Sequence, residues 1–232
     1  MKMMNVTLLI ALLAAQSISA AVCLLPDNGD GTVDFPPACP GGYAGQMVSE
    51  HFSMTTTLEY QVNLTNFHNQ TEMPGGNLFG NVQTFDADLE MNVSGTGDLA
   101  GYSRFIIIPV SLVTYTAPRT LGDPVQGFYT KIWSMQGELF GDPDFCTIAI
   151  TAGNSHSLNS PGHTTFADIG GGQYNVDSFF DVNYEIDFTG CPGSPLEGYT
   201  DGDKDSSSTL LMGDESVPNG VSSWSGVKAV YR

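Results

Sequence analysis

From Phe85 to Val93 the chain alternates without a break, Phe85, Ala87, Leu89, Met91 and Val93 standing between Asp86, Asp88, Glu90 and Asn92. Successive side chains of a strand point to opposite faces, so this pattern buries its apolar half only as a β-strand; a helix would scatter both sets around its circumference. Phe180 to Phe188 repeats the pattern, with Phe180, Val182, Tyr184, Ile186 and Phe188 against Asp181, Asn183, Glu185 and Asp187. Val48 to Leu64 reads the same way. Phe52, Met54, Leu58, Tyr60, Val62 and Leu64 form its inward set, and Ser49, His51, Ser53, Glu59, Gln61 and Asn63 its outward set.

Three further segments have strand composition: Phe105 to Thr116, which reads as covered on both faces, Val125 to Leu139, and Phe145 to Thr151. Turns separate them, among them Gly141-Asp142-Pro143-Asp144 and the glycines 170–172, which read as a hairpin loop. No central stretch has a 3.6-residue period. Half-buried antiparallel strands must cover their apolar faces, so the expected fold is all-β: a two-sheet antiparallel β-sandwich, jelly-roll-like, of roughly seven to ten strands.

Lys2, an apolar run from Val6 to Ala15 and the small residues up to Ala21 have the three-part layout of a secretory signal peptide, residues 1–21. Export to an oxidising compartment makes Cys23, Cys39, Cys146 and Cys191 disulfide partners. Of three possible connectivities, Cys23 with Cys39 and Cys146 with Cys191 is expected. The first bridge staples residues 22–45, a Pro/Gly/Asp-rich segment that buries little itself. In the second, Cys146 shares a strand face with Ile148 and Ile150. A β-sandwich domain over residues 46–200 follows. Residues 201–232 form a polar linker and a C-terminal tail that reads as an amphipathic helix or a closing strand, with Trp224, Val227 and Tyr231 beside Lys228 and Arg232.

The chain carries 7 Lys and Arg against 25 Asp and Glu, a formal charge of −18. Nucleic acids and anionic membrane surfaces need clustered cations, so neither is an expected partner. No stretch of the expected mature chain is long and apolar enough for a spanning helix, so an integral membrane protein is not expected.

The segments from Gly122 to Phe128, Gly137 to Phe145, Ser160 to Thr165 and Asn175 to Asp181 resemble a β-rich domain of secreted proteins from environmental bacteria, over roughly residues 80–200. That resemblance implies an exported bacterial protein. It brings no activity and no functional residue.

Asn28, Asp30 and Asp34 fall at positions 3, 5 and 9 of a calcium loop, with Gly31 at position 6, but positions 1 and 12 are prolines 26 and 37. An Asn-Gly/Asp-Gly turn is the alternative reading. Asp201, Asp203 and Asp205 alternate similarly without the glycine. The rows Asp86/Asp88/Glu90 and Asp181/Glu185/Asp187 read as solubilising faces, or as a glycosidase carboxylate pair if two acids face across a cleft. If both rows share a face, divalent cations relieve their repulsion. His156 lies in Gly-Asn-Ser-His-Ser, which is no nucleophile elbow, and no catalytic residue is assigned. Asn63, Asn69 and Asn92 begin N-x-S/T sequons. Tyr129 and Trp133 are candidate ligand contacts; Trp133 shares a face with Lys131 and Met135, and core packing is the alternative.

The sequence thus leads to a secreted, non-catalytic binding or assembly protein at or outside the cell surface, the periplasm included, with Ca2+ as an optional aid. Its partner would be a protein or a polysaccharide. A carbohydrate-binding module and an extracellular hydrolase are the alternatives.

Overall fold

The computed structural model describes residues 23–200 and 206–213. Residues 1–21, expected as a signal peptide, together with Asp201, Asp203, Asp205 and the tail from 214 on, lie outside the described residues. Ten strands follow one another: β1 (Cys23–Pro26), β2 (Tyr43–His51), β3 (Thr57–Pro74), β4 (Asn81–Gly95), β5 (Ser103–Thr116), β6 (Val125–Phe140), β7 (Phe145–Ala152), β8 (Pro161–Gly170), β9 (Gln173–Gly190) and β10 (Ser206–Gly213). Every pairing is antiparallel. The chain is all-β and sandwich-like.

The sheet closes on itself. β9 pairs with β10, β10 with β2, and the order continues β2-β3-β4-β5-β6. The 18-residue β9 is long enough to meet two strands end to end on one edge, β8 through Gly162↔Phe180 and β7 through Ile150↔Ile186, and both return to β6. The alternating segments dictate what lies inside. Phe85, Ala87, Leu89, Met91 and Val93 of β4 and Phe180, Val182, Tyr184, Ile186 and Phe188 of β9 are all buried in one core.

Four sequence expectations change. Val48 to Leu64 is two strands, because Phe52 and Ser53 N–H groups donate to the Thr56 carbonyl and close a turn; Met54 is therefore fully exposed rather than inward. In β5 only alternate residues are buried, and Phe105 and Ile107 face out at 53% and 42% exposure, so the strand is covered on one face. At Cys146 an irregularity against β9 puts Phe145 in the core, and Cys146 is only half-buried. The segment between Cys23 and Cys39 adds to the core: Thr32, Val33 and Phe35 are buried, and β1 pairs with β9. Phe35 reaches Phe128 and Phe180.

Disulfides join Cys23 to Cys39 and Cys146 to Cys191. The first holds this segment where the guanidinium of Arg119 donates to the Val33 carbonyl at 3.0 Å and lies over the rings of Phe128 and Phe166. The second lies beside the β6–β7 turn, where Arg104 pairs with Asp142 at 2.7 Å.

Candidate ligand-binding face

β4, β5 and β6 present a continuous outer face. Alternation alone sends Thr84, Asp86, Asp88 and Glu90 of β4 and Ser111, Val113 and Tyr115 of β5 outward. On β6 the pairing slips between Val113↔Ser134 and Thr114↔Ile132. The extra residue lets Trp133 and Ser134 both leave the core, and beyond it Met135 is buried while Gln136 is exposed. Trp133 therefore does not share a face with Met135, nor is it a core residue. It stacks on Tyr115, ring centroids 5.2 Å apart and planes within 13°. Lys131 Nζ lies 5.5 Å from both ring centroids, and burial lowers its pKa.

Beside the stack runs an open groove of about 370 Å³, whose polar lining is Asn69, Thr84, Asp86, Ser111, Ser134 and Gln136. Asp86 accepts from Asn69 Nδ2 at 2.8 Å and from Ser111 Oγ at 2.7 Å, and these two bonds hold its carboxyl below the usual carboxylate range. The other acids of the β4 row also accept side-chain hydrogen bonds: Asn66 Nδ2 donates to Asp88 at 2.8 Å and Thr65 Oγ1 to Glu90 at 3.0 Å. Asn66 and Asn69 reach over because they are left-handed, at φ 54° and 53°, at the two irregularities of β3. Asn tolerates that region better than most residues.

Across the groove, His156 Nε2 is 3.2 Å from Ser134 Oγ and 2.8 Å from Gln136 Nε2. Among the described residues no carboxylate bonds to His156, so this pair lacks the orienting acid of a nucleophilic triad. Neither Ser134 nor His156 was legible as a site from sequence; the slip in β6 that brings them together leaves no composition signal.

The other candidates lie apart. Tyr129 is 57% exposed on the same strand, edge-on to His163 at 5.5 Å. Asn28, Asp30 and Asp34 sit in a loop that satisfies itself: Asn28 Nδ2 donates to Asp34 at 2.7 Å, and Asn28 Oδ1 accepts the Asp30 N–H. Asp27 accepts from the N–H groups of Gly29 and Gly31. Among the described residues no three His, Cys, Asp or Glu side chains converge as a metal site. The acidic rows of β4 and β9 do not share a face, since the two strands lie four positions apart around the closed sheet in either direction. They cannot face each other across a cleft.

Among the described residues no helix is long and apolar enough to cross a membrane. Comparison with protein-family models, curated proteins and solved structures found no match.

Proposed function

We propose that the protein is an exported, non-catalytic polysaccharide-binding protein that lays a neutral glycan chain along the β4–β5–β6 face. The observation that carries this reading is the partly buried, outward-facing Trp133, stacked on Tyr115 and next in the chain to Ser134 of a groove lined by amides, hydroxyls and a carboxylate. Sugar rings offer flat apolar C–H faces to an aromatic and hydroxyls to such polar groups. β5 gives the face length: Tyr115 to Phe105 spans about 34 Å at the rise of an extended strand. Charge selects the polymer. Asp86, Asp88, Glu90 and Glu138 outnumber Lys131 on this face, which disfavours polyanions. The two disulfides agree with an oxidising compartment.

The test is retention on insoluble neutral polysaccharides, with cellulose, xylan, mannan and chitin as probes. Wild type should be retained on at least one. Trp133→Ala should weaken that binding about tenfold, the equivalent of about 1.4 kcal/mol of lost ring contact, and Trp133→Phe should retain most of it. Binding by none of the four, or unchanged binding by Trp133→Ala, overturns the reading.

A further inference from the structure

The outer face of β5 and β6 continues past the groove and turns apolar. Beyond Ser111 and Gln136 of the groove lining, the next outward residues are Pro109 on β5 and Glu138 on β6, then Ile107 and Phe105 on the one strand and Phe140 on the other. The two strands stay alongside each other here. Val110 pairs with Gly137, and further on Arg104 Nη2 donates to Asp142 Oδ2 at 2.7 Å. Phe140 lies between those two ties, so it shares one patch with Ile107 and Phe105. Their direction follows from alternation, since Ile106, Ile108 and Val110 are buried in the core. Phe105, Ile107 and Phe140 are 53%, 42% and 63% exposed. On the β4 side, Asn92 stands opposite Phe105 and Glu90 opposite Ile107. A cluster of large apolar side chains left in water on a strand face marks a contact site.

We propose that Phe105, Ile107 and Phe140 form a second apolar platform for the same neutral polysaccharide, so that binding favours long chains over short oligosaccharides. This rests on the reading of the β4–β5–β6 face as a glycan site. The platform and the Trp133–Tyr115 stack lie on one face, with the polar groove between them. At the rise of an extended strand, Ile107 stands about 27 Å from Tyr115 along β5. A short oligosaccharide seated on the stack does not reach that far, whereas a long chain touches both ends. The chemistry of the two ends is alike: aromatic rings meet the C–H faces of sugars, and the exposed amide of Asn92 offers hydroxyls what Asn69 and Gln136 offer in the groove. A second copy of the chain fits this patch worse. A two-fold contact here would bring Asp88, Glu90 and Glu138 close to their images in the other copy, and like charges at short range repel. A neutral glycan meets no such cost.

The test titrates the full chain calorimetrically with the trisaccharide and the hexasaccharide of whichever of the four polysaccharides retains it. Wild type should bind the hexasaccharide about tenfold more tightly than the trisaccharide. Phe105→Ala with Phe140→Ala should lose that gain and keep the trisaccharide affinity, while Phe140→Tyr, which keeps a ring, should retain it. Trp133→Ala should weaken binding at both lengths. Both phenylalanines are exposed, so the double variant should keep the wild-type Tm, which separates lost contact from lost fold. A gain with length that survives in the double variant, or no gain in wild type, overturns the platform and leaves the Trp133 site standing. Retention on none of the four polysaccharides removes both readings together. A wild-type dimer in sedimentation that the double variant turns into a monomer would assign the patch to a second copy and overturn the proposal.

Discussion

Phe35 packs edge-on against Phe128, ring centroids 6.0 Å apart, and so the stapled N-terminal segment is part of the core and not an appendage to it. Phe128 also meets Phe166 at 5.5 Å, and Arg119 lies over both of those rings. The bridge between Cys23 and Cys39 holds together a plug of aromatic and cationic groups.

Breaking the plug should destabilise the whole domain. Phe35→Ala removes a buried ring and should cost about 3–4 kcal/mol. Cys23→Ser with Cys39→Ser opens a 16-residue span and should cost about 3 kcal/mol by chain entropy. Thermal unfolding followed by circular dichroism would read each as a fall in Tm of several degrees. A single cooperative transition in both variants would mark the plug and the sheet as one unit. Loss of the early part of a two-step transition would show that they unfold separately.

A different test concerns pH. Asp142 is partly buried, which by itself raises its pKa. Hydrogen bonds from Arg104 and from the N–H groups of Asp144 and Phe145, together with the Arg104 charge, nevertheless hold it below the usual carboxylate value. A carboxyl with a depressed folded pKa stabilises the fold above its unfolded value, about 3.9, and that contribution is lost as pH falls through the folded pKa. Asp142→Asn should therefore cost about 1 kcal/mol at pH 7, and its denaturation midpoint should converge with that of wild type below about pH 4. A constant gap from pH 7 to pH 3 would show that the loss is steric and not electrostatic.

Tyr184 gives a prediction of opposite sign. Its hydroxyl is fully buried in the core without a hydrogen-bond partner among the described residues, and burial pushes its pKa up. Tyr43, by contrast, shares its hydroxyl with Ser178 at 2.9 Å, and Ser178 with Thr164 at 2.7 Å. Removing an unsatisfied buried hydroxyl relieves a desolvation cost, so Tyr184→Phe should be neutral or stabilise by about 1 kcal/mol, while Tyr43→Phe should cost about 1 kcal/mol. Urea denaturation of the two variants checks the contrast. A loss for Tyr184→Phe as large as that for Tyr43→Phe would mean the hydroxyl has a polar partner.

The strands with strict alternation were legible because period two leaves no other way to bury their apolar half, and Phe85 to Val93 and Phe180 to Phe188 fold as written. The cysteine pairing was legible from the short Pro/Gly-rich span between Cys23 and Cys39. What alternation cannot carry is a change of parity. The slip at Trp133 and Ser134 turns the rest of β6 over, so Met135 goes in and Gln136 out, and the groove follows from that one extra residue. Closure of the sheet was also invisible, since it depends on β9 being long enough to meet β7 and β8 in succession. The buried Phe35 escaped notice because its Pro-rich surroundings have no period at all.

Gly76 ties the fold to the proposed binding face. It adopts φ +81° in the β3–β4 turn, and a Cβ there would stand 2.9 Å from Cγ of Tyr115, the ring on which Trp133 stacks. Gly76→Ala should thus act twice: left-handed strain of about 1 kcal/mol lowers stability, and displacement of Tyr115 disturbs the Tyr115–Trp133 stack. Gly172 separates the two effects. It sits at φ +72° in the β8–β9 turn with nothing within 4 Å of its Cβ position, so Gly172→Ala carries the strain alone. Both variants should lose similar Tm, and only Gly76→Ala should lose retention on the polysaccharide that wild type binds. Equal retention by the two would mean that the ring stack can shift without consequence and that Trp133 binds, if it binds, without Tyr115 to support it.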